Sequence, residues 1–322
     1  MYTTEIGTDL ARAKQLLEEG ELVAIPTETV YGLAGNGLNS KAIAKIYAAK
    51  NRPQFNPLIL HVANLSQLQQ WVESIPDACR LLMNAFSPGP ITYLLPKSST
   101  VPDLVTAGSN RVAIRIPSHP LTLQLLNSLN FPIAAPSANP SGYVSPVTSK
   151  HVLDGLNGLI PYIIDGGSCN IGLESTIVGF ELNKVIVHRL GGLSIENIQR
   201  ISGVEVELRL SHASLTAPGQ LKSHYATKKP LIVGDINKNL LLYKDKKIGL
   251  LTFSSSYKIN GCIEHILSPG GNIEEAASHL FNAMRLLDYS DVEVILAEVF
   301  PAEGLGKAIN DRLARASYPL KY

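Results

Sequence analysis

Charge is scarce in this chain of 322 residues: Asp, Glu, Lys and Arg make up 17%, and 28 basic against 27 acidic side chains leave a formal net charge of +1. A dedicated binder of nucleic acid carries a basic excess or stripe. Near-neutrality therefore excludes broad electrostatic capture of a polyanion and leaves room for weak or local RNA contact at most. Cysteine is scarcer still. Cys79, Cys169 and Cys262 share no CxxC or Cys/His spacing, which argues against a zinc site or a disulfide framework and predicts reduced, buried thiols. The chain opens MYTTE, without the basic and apolar regions of a secretory signal, and no apolar run reaches the length of a membrane-spanning helix. These absences predict a cytoplasmic protein with no membrane partner. Also missing are the GxxxxGK[ST], GxSxG and HExxH motifs and closely paired carboxylates, so several familiar kinase and hydrolase mechanisms are unsupported.

What is present is a hydrophobic fraction of 45%, enough for compact folding, in a length that favours two domains. Leu10, Ala13, Leu16 and Leu17 predict a helix over residues 9–20 with Gly20 as its stop. A strand over 22–25 leads into a loop over 26–33. Ser40 is expected to cap a helix running through Ile43, Ile46 and Tyr47 to Lys50, followed by a strand over 58–62. Strand-like runs at 91–95, 112–116, 133–135, 162–164, 177–180 and 185–190 and helical patterns at 65–72, 77–86 and 120–129 predict an α/β domain with a sheet that need not be purely parallel. Periodicity then fades over 211–229. Beyond it, apolar strands at 231–233, 248–253 and 294–299 and an amphipathic helix over 274–287 predict a smaller parallel α/β domain of Rossmann-like layering. Gly270-Gly271 does not form GxGxxG after a strand, so no dinucleotide site is expected there. The expected organisation is a larger domain over 1–208, a linker over 209–229 and a smaller domain over 230–322.

Several polar segments could carry chemistry, each with a plainer alternative. The loop PTETVYGL, residues 26–33, offers two threonine hydroxyls, a carboxylate and a phenol to a small polar ligand, or is an ordinary hydrogen-bonded turn. Lys50 and Arg52 sit at a helix end among prolines. They either answer the helix dipole or neutralise phosphate. His61 lies within an apolar strand, where a satisfied core histidine is the plainer account. Arg111 and Arg115, four apart in a strand, share a face, and two cations on an apolar face call for anions that a carboxylate or phosphate ligand would supply. The loop PSANPSG, residues 136–142, follows a strand, Ser175 enters another, and Arg189 with Gly191-Gly192 ends the next, all at strand ends where ligands usually bind.

In order along the chain, PTETVYGL at 26–33, KNRPQFNPLILH at 50–61, Arg115-Ile116-Pro117, PSAN at 136–139, Ser175-Thr176 and Arg189 resemble the threonylcarbamoyl-AMP synthase family. The resemblance spans residues 8–205 for its YrdC-like catalytic domain, a twisted mixed sheet with helices, and Ala217-Pro218-Gly219 to His224-Tyr225-Ala226 extends it to the long form with a C-terminal domain. It implies a nucleotidyltransferase that makes L-threonylcarbamoyl-AMP and pyrophosphate from L-threonine, bicarbonate and ATP, with Mg²⁺ entering on ATP and no metal site of the protein's own. The product would go to a separate transferase that modifies tRNA. The resemblance further implies that threonine meets Thr29, His61, Arg115, Ala135 and Ser175. ATP would meet Arg52, Asn56, Ser137, Ser145, Arg189 and Tyr225, with Arg111 on the nucleotide side and Lys50, Arg52 and Arg189 assisting catalysis at the phosphates. A carbamoyl-adenylate enzyme serving another acceptor, as in hydrogenase-maturation proteins, would bring zinc-binding cysteine motifs that this chain lacks. The alternative from another class is an RNA-binding module in translation or ribosome assembly, whose signature would be salt-dependent RNA affinity without ATP turnover.

Overall fold

Local sequence decides the first elements. After β1 (Glu5–Gly7), the Asp9 carboxylate accepts the Arg12 N–H and caps α1 (Leu10–Glu18), which buries Ala13, Leu16 and Leu17. Gly20 follows at φ +76°, the left-handed value that ends helices and favours glycine. β2 (Val23–Ile25) pairs antiparallel with β3 (Gly32–Asn36), Ile25 opposite Gly32. The expected loop is therefore shorter than 26–33. Gly32 and Leu33 are drawn into β3 by a bridge from Gly32 to Ser137 and by the Leu33 N–H donating to Pro136, pairings with a segment a hundred residues away. α2 (Ser40–Lys50) is capped by Asn39, not Ser40, because the Asn39 side chain accepts the N–H groups of Lys41 and Ala42.

The computed structural model describes residues 2–210 and 225–317. The first compact unit is drawn from residues up to 210, apart from 142–145 and 171–173. It continues with β4 (Ile59–His61), α3 (Leu65–Gln69), α4 (Asp77–Phe86), β5 (Ile91–Pro96), α5 (Asp103–Thr106), β6 (Arg111–Arg115), α6 (Pro120–Ser128) and β7 (Ile133–Ala134). There follow α7 (Ser149–Leu156), β8 (Tyr162–Ile164), β9 (Thr176–Glu181), β10 (Lys184–Arg189), α8 (Ile195–Ser202) and β11 (Glu205–Leu208). Its described strands form one mixed sheet in the order β1-β8-β2-β3-β7-β4-β6-β5-β9-β10-β11. Leu16, Leu17, Val23, Ile25, Leu125, Leu126, Ile133 and Ile164 pack α1 and α6 onto it, each contributing roughly 1.5–3 kcal/mol of burial. The register sets His61 on β4 directly beside Arg115 on the parallel β6, and Arg189 on β10 opposite Ile177 after a register shift past Val187.

The second unit comprises the described residues from 225 onward together with Gly142–Ser145 and Ile171–Leu173. It carries β12 (Leu231–Val233), α9 (Ile236–Leu242), β13 (Ile248–Thr252), β14 (Ile263–Ile266), α10 (Ile273–Tyr289), β15 (Val294–Ala297) and α11 (Gly306–Ala316). All its strand pairs are parallel, in the order β12-β15-β13-β14, as the apolar runs predicted. Ile248, Leu250, Val294 and Leu296 form the core on one face. The two short earlier segments belong here for visible reasons. Arg285, on α10 and almost fully buried, donates to the Val144 and Ser145 carbonyls and stacks 4.8 Å over Tyr143, whose hydroxyl donates to Asp288 at 2.7 Å. Gly172, at φ +71°, lies so close to α10 that a Cβ would stand 2.6 Å from the Ser278 backbone.

Of the expected linker, residues 211–224 lie outside the described ones. Cys79 and Cys169 are buried free thiols, as expected, whereas Cys262, also free, is only half-buried. Among the described residues no helix is long and apolar enough to cross a membrane.

Candidate active site

A threonine turn comes first. The Thr27 hydroxyl donates to the Val30 carbonyl, accepts the N–H groups of Thr29 and Val30, and lies 2.8 Å from the Thr29 hydroxyl. These bonds fix the 26–31 loop from within, as hydroxyl-capped turns do. Its distal half is tied to the loop after β7: the Ala138 N–H donates to Tyr31 O, and the Tyr31 N–H to Pro146 O. Lys50, at the end of α2 and buried, extends its ammonium to the Ser137 and Asn139 carbonyls, each at 2.5 Å. Burial and then the Arg52 charge push the Lys50 ammonium well below the usual lysine range. Its contacts thus hold the 136–139 loop, where sequence gave a choice between helix dipole and phosphate.

Arg115 ends β6 with its guanidinium buried. Nε donates to Gly89 O at 3.1 Å and Nη1 to the Thr29 hydroxyl at 2.9 Å, while Nη2 stands 2.8 Å from Glu28 Oε1. The sequence expectation was that a ligand would supply the anion for the cations of this strand. For Arg115 that is corrected, because Glu28, from the same loop as Thr29, supplies it internally. Burial raises the Glu28 carboxyl, but the Arg115 charge, with help from the Ser118 N–H that donates to it, outweighs this and holds it below the usual range. Arg111, at the opposite end of β6, is four residues and about 13 Å from Arg115. It is half-buried and lies beside Gly179 and His188, away from the Thr29 loop.

A second arginine closes the other flank. Arg189 donates through Nε and Nη2 to Ser175 O at 3.1 and 2.9 Å and through Nη2 to the Ser175 hydroxyl at 3.1 Å, which in turn lies 2.7 Å from Thr92 Oγ1. His61 connects the flanks electrostatically. Its Nδ1 is 3.2 Å from Ile59 O, and burial, then the charges of Arg115 and Arg189, lower its pKa to about 3. The imidazole is therefore neutral at physiological pH. Arg52 is folded back onto the Asn56 and Pro57 carbonyls at 3.2 and 2.8 Å. The Asn56 side chain is fully buried, yet neither its oxygen nor its nitrogen has a hydrogen-bond partner among the described residues. Such an amide is costly to leave unmatched and is suited to a ligand. The backbone N–H of Ala135 is taken by Ile59 O.

The first unit therefore joins Thr29, His61, Arg115 and Ser175 with Arg189 through contacts and charge, and Lys50 with Ser137 through a hydrogen bond. Ser145 and Tyr225 belong to the second unit. There Tyr225, at φ +66°, is stacked at 5.5 Å on Phe281 and lies 5.0 Å under Arg312. In the sequence Glu28 is one of several groups of the 26–33 loop offered to a small polar ligand, with no sign of Arg115, and Thr92, one hydroxyl in an apolar strand, has no assigned role. Neither pairing crosses fewer than 80 residues, so no local signal exists for them. Among the described residues no group of three or more His, Cys, Asp or Glu could hold a metal ion.

Two family models match the chain. One, described as "Telomere recombination", covers residues 15–191, and the other, "Threonylcarbamoyl-AMP synthase, C-terminal domain", covers 193–317. The threonylcarbamoyl-AMP synthase of Pyrococcus abyssi is 40% identical over 95% of this chain and 93% of its own, and that of Bacillus subtilis 39% over 98% and 95%. A crystal structure of the Pyrococcus abyssi protein complexed with L-threonine superposes with a TM-score of 0.90 at 38% identity, over 98% of this chain and 97% of that one. With both models matched end to end and relatives aligned over nearly the full length, this chain belongs to the threonylcarbamoyl-AMP synthase family, in its two-domain form.

Proposed function

We propose that this protein makes L-threonylcarbamoyl-AMP and pyrophosphate from L-threonine, bicarbonate and ATP, the product serving a separate transferase that modifies adenosine in tRNA. The observation that carries the proposal is the buried Arg115 held against Thr29 beside a neutral His61 and the Ser175–Arg189 pair. A guanidinium is the group best matched to an amino-acid carboxylate. Thr29, His61, Arg115, Ala135 and Ser175 would enclose threonine. Arg52, Asn56, Ser137 and Arg189, with Ser145 and Tyr225, would meet ATP, and the unmatched amide of Asn56 supports that assignment.

Free amine and bicarbonate give a carbamate and water with no net proton released. Guanidinium charges around the amine disfavour its ammonium form and so favour the nucleophile. One carbamate oxygen then bonds to the α-phosphorus as the bond to the β-phosphate oxygen breaks and pyrophosphate leaves. Alignment and charge stabilisation by Arg52, Arg189 and, through the 136–139 loop, Lys50 would supply most of the acceleration. Mg²⁺ would enter with ATP and offset charge on its phosphates, needing few carboxylates of the protein.

The test is incubation of the purified protein with ATP, Mg²⁺, bicarbonate and each amino acid in turn, following pyrophosphate and product mass. Threonine-dependent pyrophosphate with a threonylcarbamoyl-adenylate mass is expected. No turnover with any amino acid, together with steeply salt-dependent RNA binding, would instead favour a role as an RNA-binding module.

A further inference from the structure

Arg115 has five N–H groups. Gly89 O takes the one on Nε and the Thr29 hydroxyl takes one on Nη1. Nη2 is the informative atom. It lies 2.8 Å from Glu28 Oε1, close enough for an ion pair, yet it has no aligned hydrogen-bond acceptor among the described residues, and Glu28 Oε1 has no aligned donor. Charge is matched while donor directions stay open. The other oxygen of Glu28 is pinned by the backbone N–H of Ser118 at 3.1 Å, three residues beyond Arg115 on the same strand exit. With Arg115 and Glu28 only 4% and 7% exposed in their side chains, water cannot replace either partner without cost.

We propose that Glu28 is the positioning residue of the amino-acid carboxylate site. It tethers the Arg115 guanidinium by charge, leaves N–H groups on Nη1 and Nη2 free for a substrate carboxylate, and thereby sets affinity for threonine. Glu28 touches neither substrate nor reacting atoms and acts through Arg115 alone. Thr29 works beside it, so that one loop supplies both the hydroxyl and the carboxylate that fix the guanidinium. The inference rests on the threonine-dependent synthesis proposed above.

The test is a pair of variants, Glu28→Gln and Glu28→Asp, made in the full chain. For each, threonine binding is measured by calorimetry, KM for threonine and for ATP and kcat by pyrophosphate release, and the melting temperature as a control. Glu28→Gln is expected to raise Kd and KM for threonine about 10–100-fold, with kcat at saturating threonine within about threefold and KM for ATP within about twofold of the parent. Glu28→Asp, which keeps the charge but withdraws it by one methylene, is expected to fall between parent and Glu28→Gln, and it carries the test should Glu28→Gln not fold. Unchanged threonine affinity in a folded variant would overturn the inference. So would equal worsening of the threonine and ATP constants in step with a lowered melting temperature, which is the mark of a purely structural residue. A parent protein that makes no product with threonine fails the proposed function instead, and the two failures are distinguishable.

Discussion

Single residues in this site are arranged around unmatched chemistry, and Asn56 is the clearest case. Its buried amide has no partner among the described residues, a cost to the fold that a ligand would relieve. Asn56→Ala should therefore leave stability unchanged or raise it by about 1–2 kcal/mol, because no side-chain hydrogen bond is lost and an unmatched polar group is removed. It should raise KM for ATP about tenfold or more. Denaturant titration beside steady-state kinetics checks both, and a large loss of stability with normal ATP affinity would reverse the assignment. Thr29, His61, Arg115, Ser175 and Arg189 are singled out in the sequence by the family resemblance, and the structure brings these five together through contacts and charge. What escaped was pairing. Nothing near Glu28 in sequence announces Arg115, 87 positions on, nor does Ser175 announce Thr92.

Elements fix where the loops go. α2 delivers Lys50 to the underside of the 136–139 loop, and its backbone oxygen accepts the Ser141 N–H as well. Lys50→Met keeps most of the stem's volume but strands the Ser137 and Asn139 carbonyls. A cost of about 1–3 kcal/mol is expected, with KM for ATP raised and threonine affinity nearly kept. Thermal melting and the two Michaelis constants test this; an unaltered melting temperature would show that water satisfies the carbonyls. Helix ends and strand cores were the readable features here, because capping and apolar runs are local. The entry of Gly32 and Leu33 into β3 was not, because the deciding partners are Pro136 and Ser137. The same reason explains why the short β1, α5 and β11, and α9 and β14 further on, have no counterpart among the predicted elements: each is held by packing more than by its own periodicity. α7, α8 and α11 also have none, although all three are amphipathic and Thr148 and Ser194 cap the first two.

At the scale of the molecule, Gly142–Ser145 and Ile171–Leu173 are built into the second unit by Arg285, Asp288 and the surface of α10. Ending the chain after Leu210 removes those supports. Turnover is expected to fall at least tenfold through ATP, while threonine binding at Thr29 and Arg115 persists in calorimetry; full ATP affinity in the shortened protein would sink this prediction. Acid stability follows from two histidines. Burial lowers His61 to about 3 and, with the Arg111 charge next, His188 to about 4, so both stay neutral in the fold while unfolded imidazoles take up protons below about 6.5. The unfolded chain then binds more protons, and stability falls as pH drops from 6.5 toward 4, by about 1.4 kcal/mol per pH unit for each imidazole. Denaturant midpoints at pH 7 and 5 measure it, and His188→Asn should reduce the slope. By itself the sequence determined the α/β class, the parallel character of the smaller sheet and the set of polar residues available for chemistry, because hydrophobic periodicity, caps and motifs act over a few residues. Only the tertiary structure decided that Arg115 meets a carboxylate of the protein, that Lys50 holds a loop and that Ser145 sits in the second unit, because those outcomes depend on which distant groups share a low-dielectric interior.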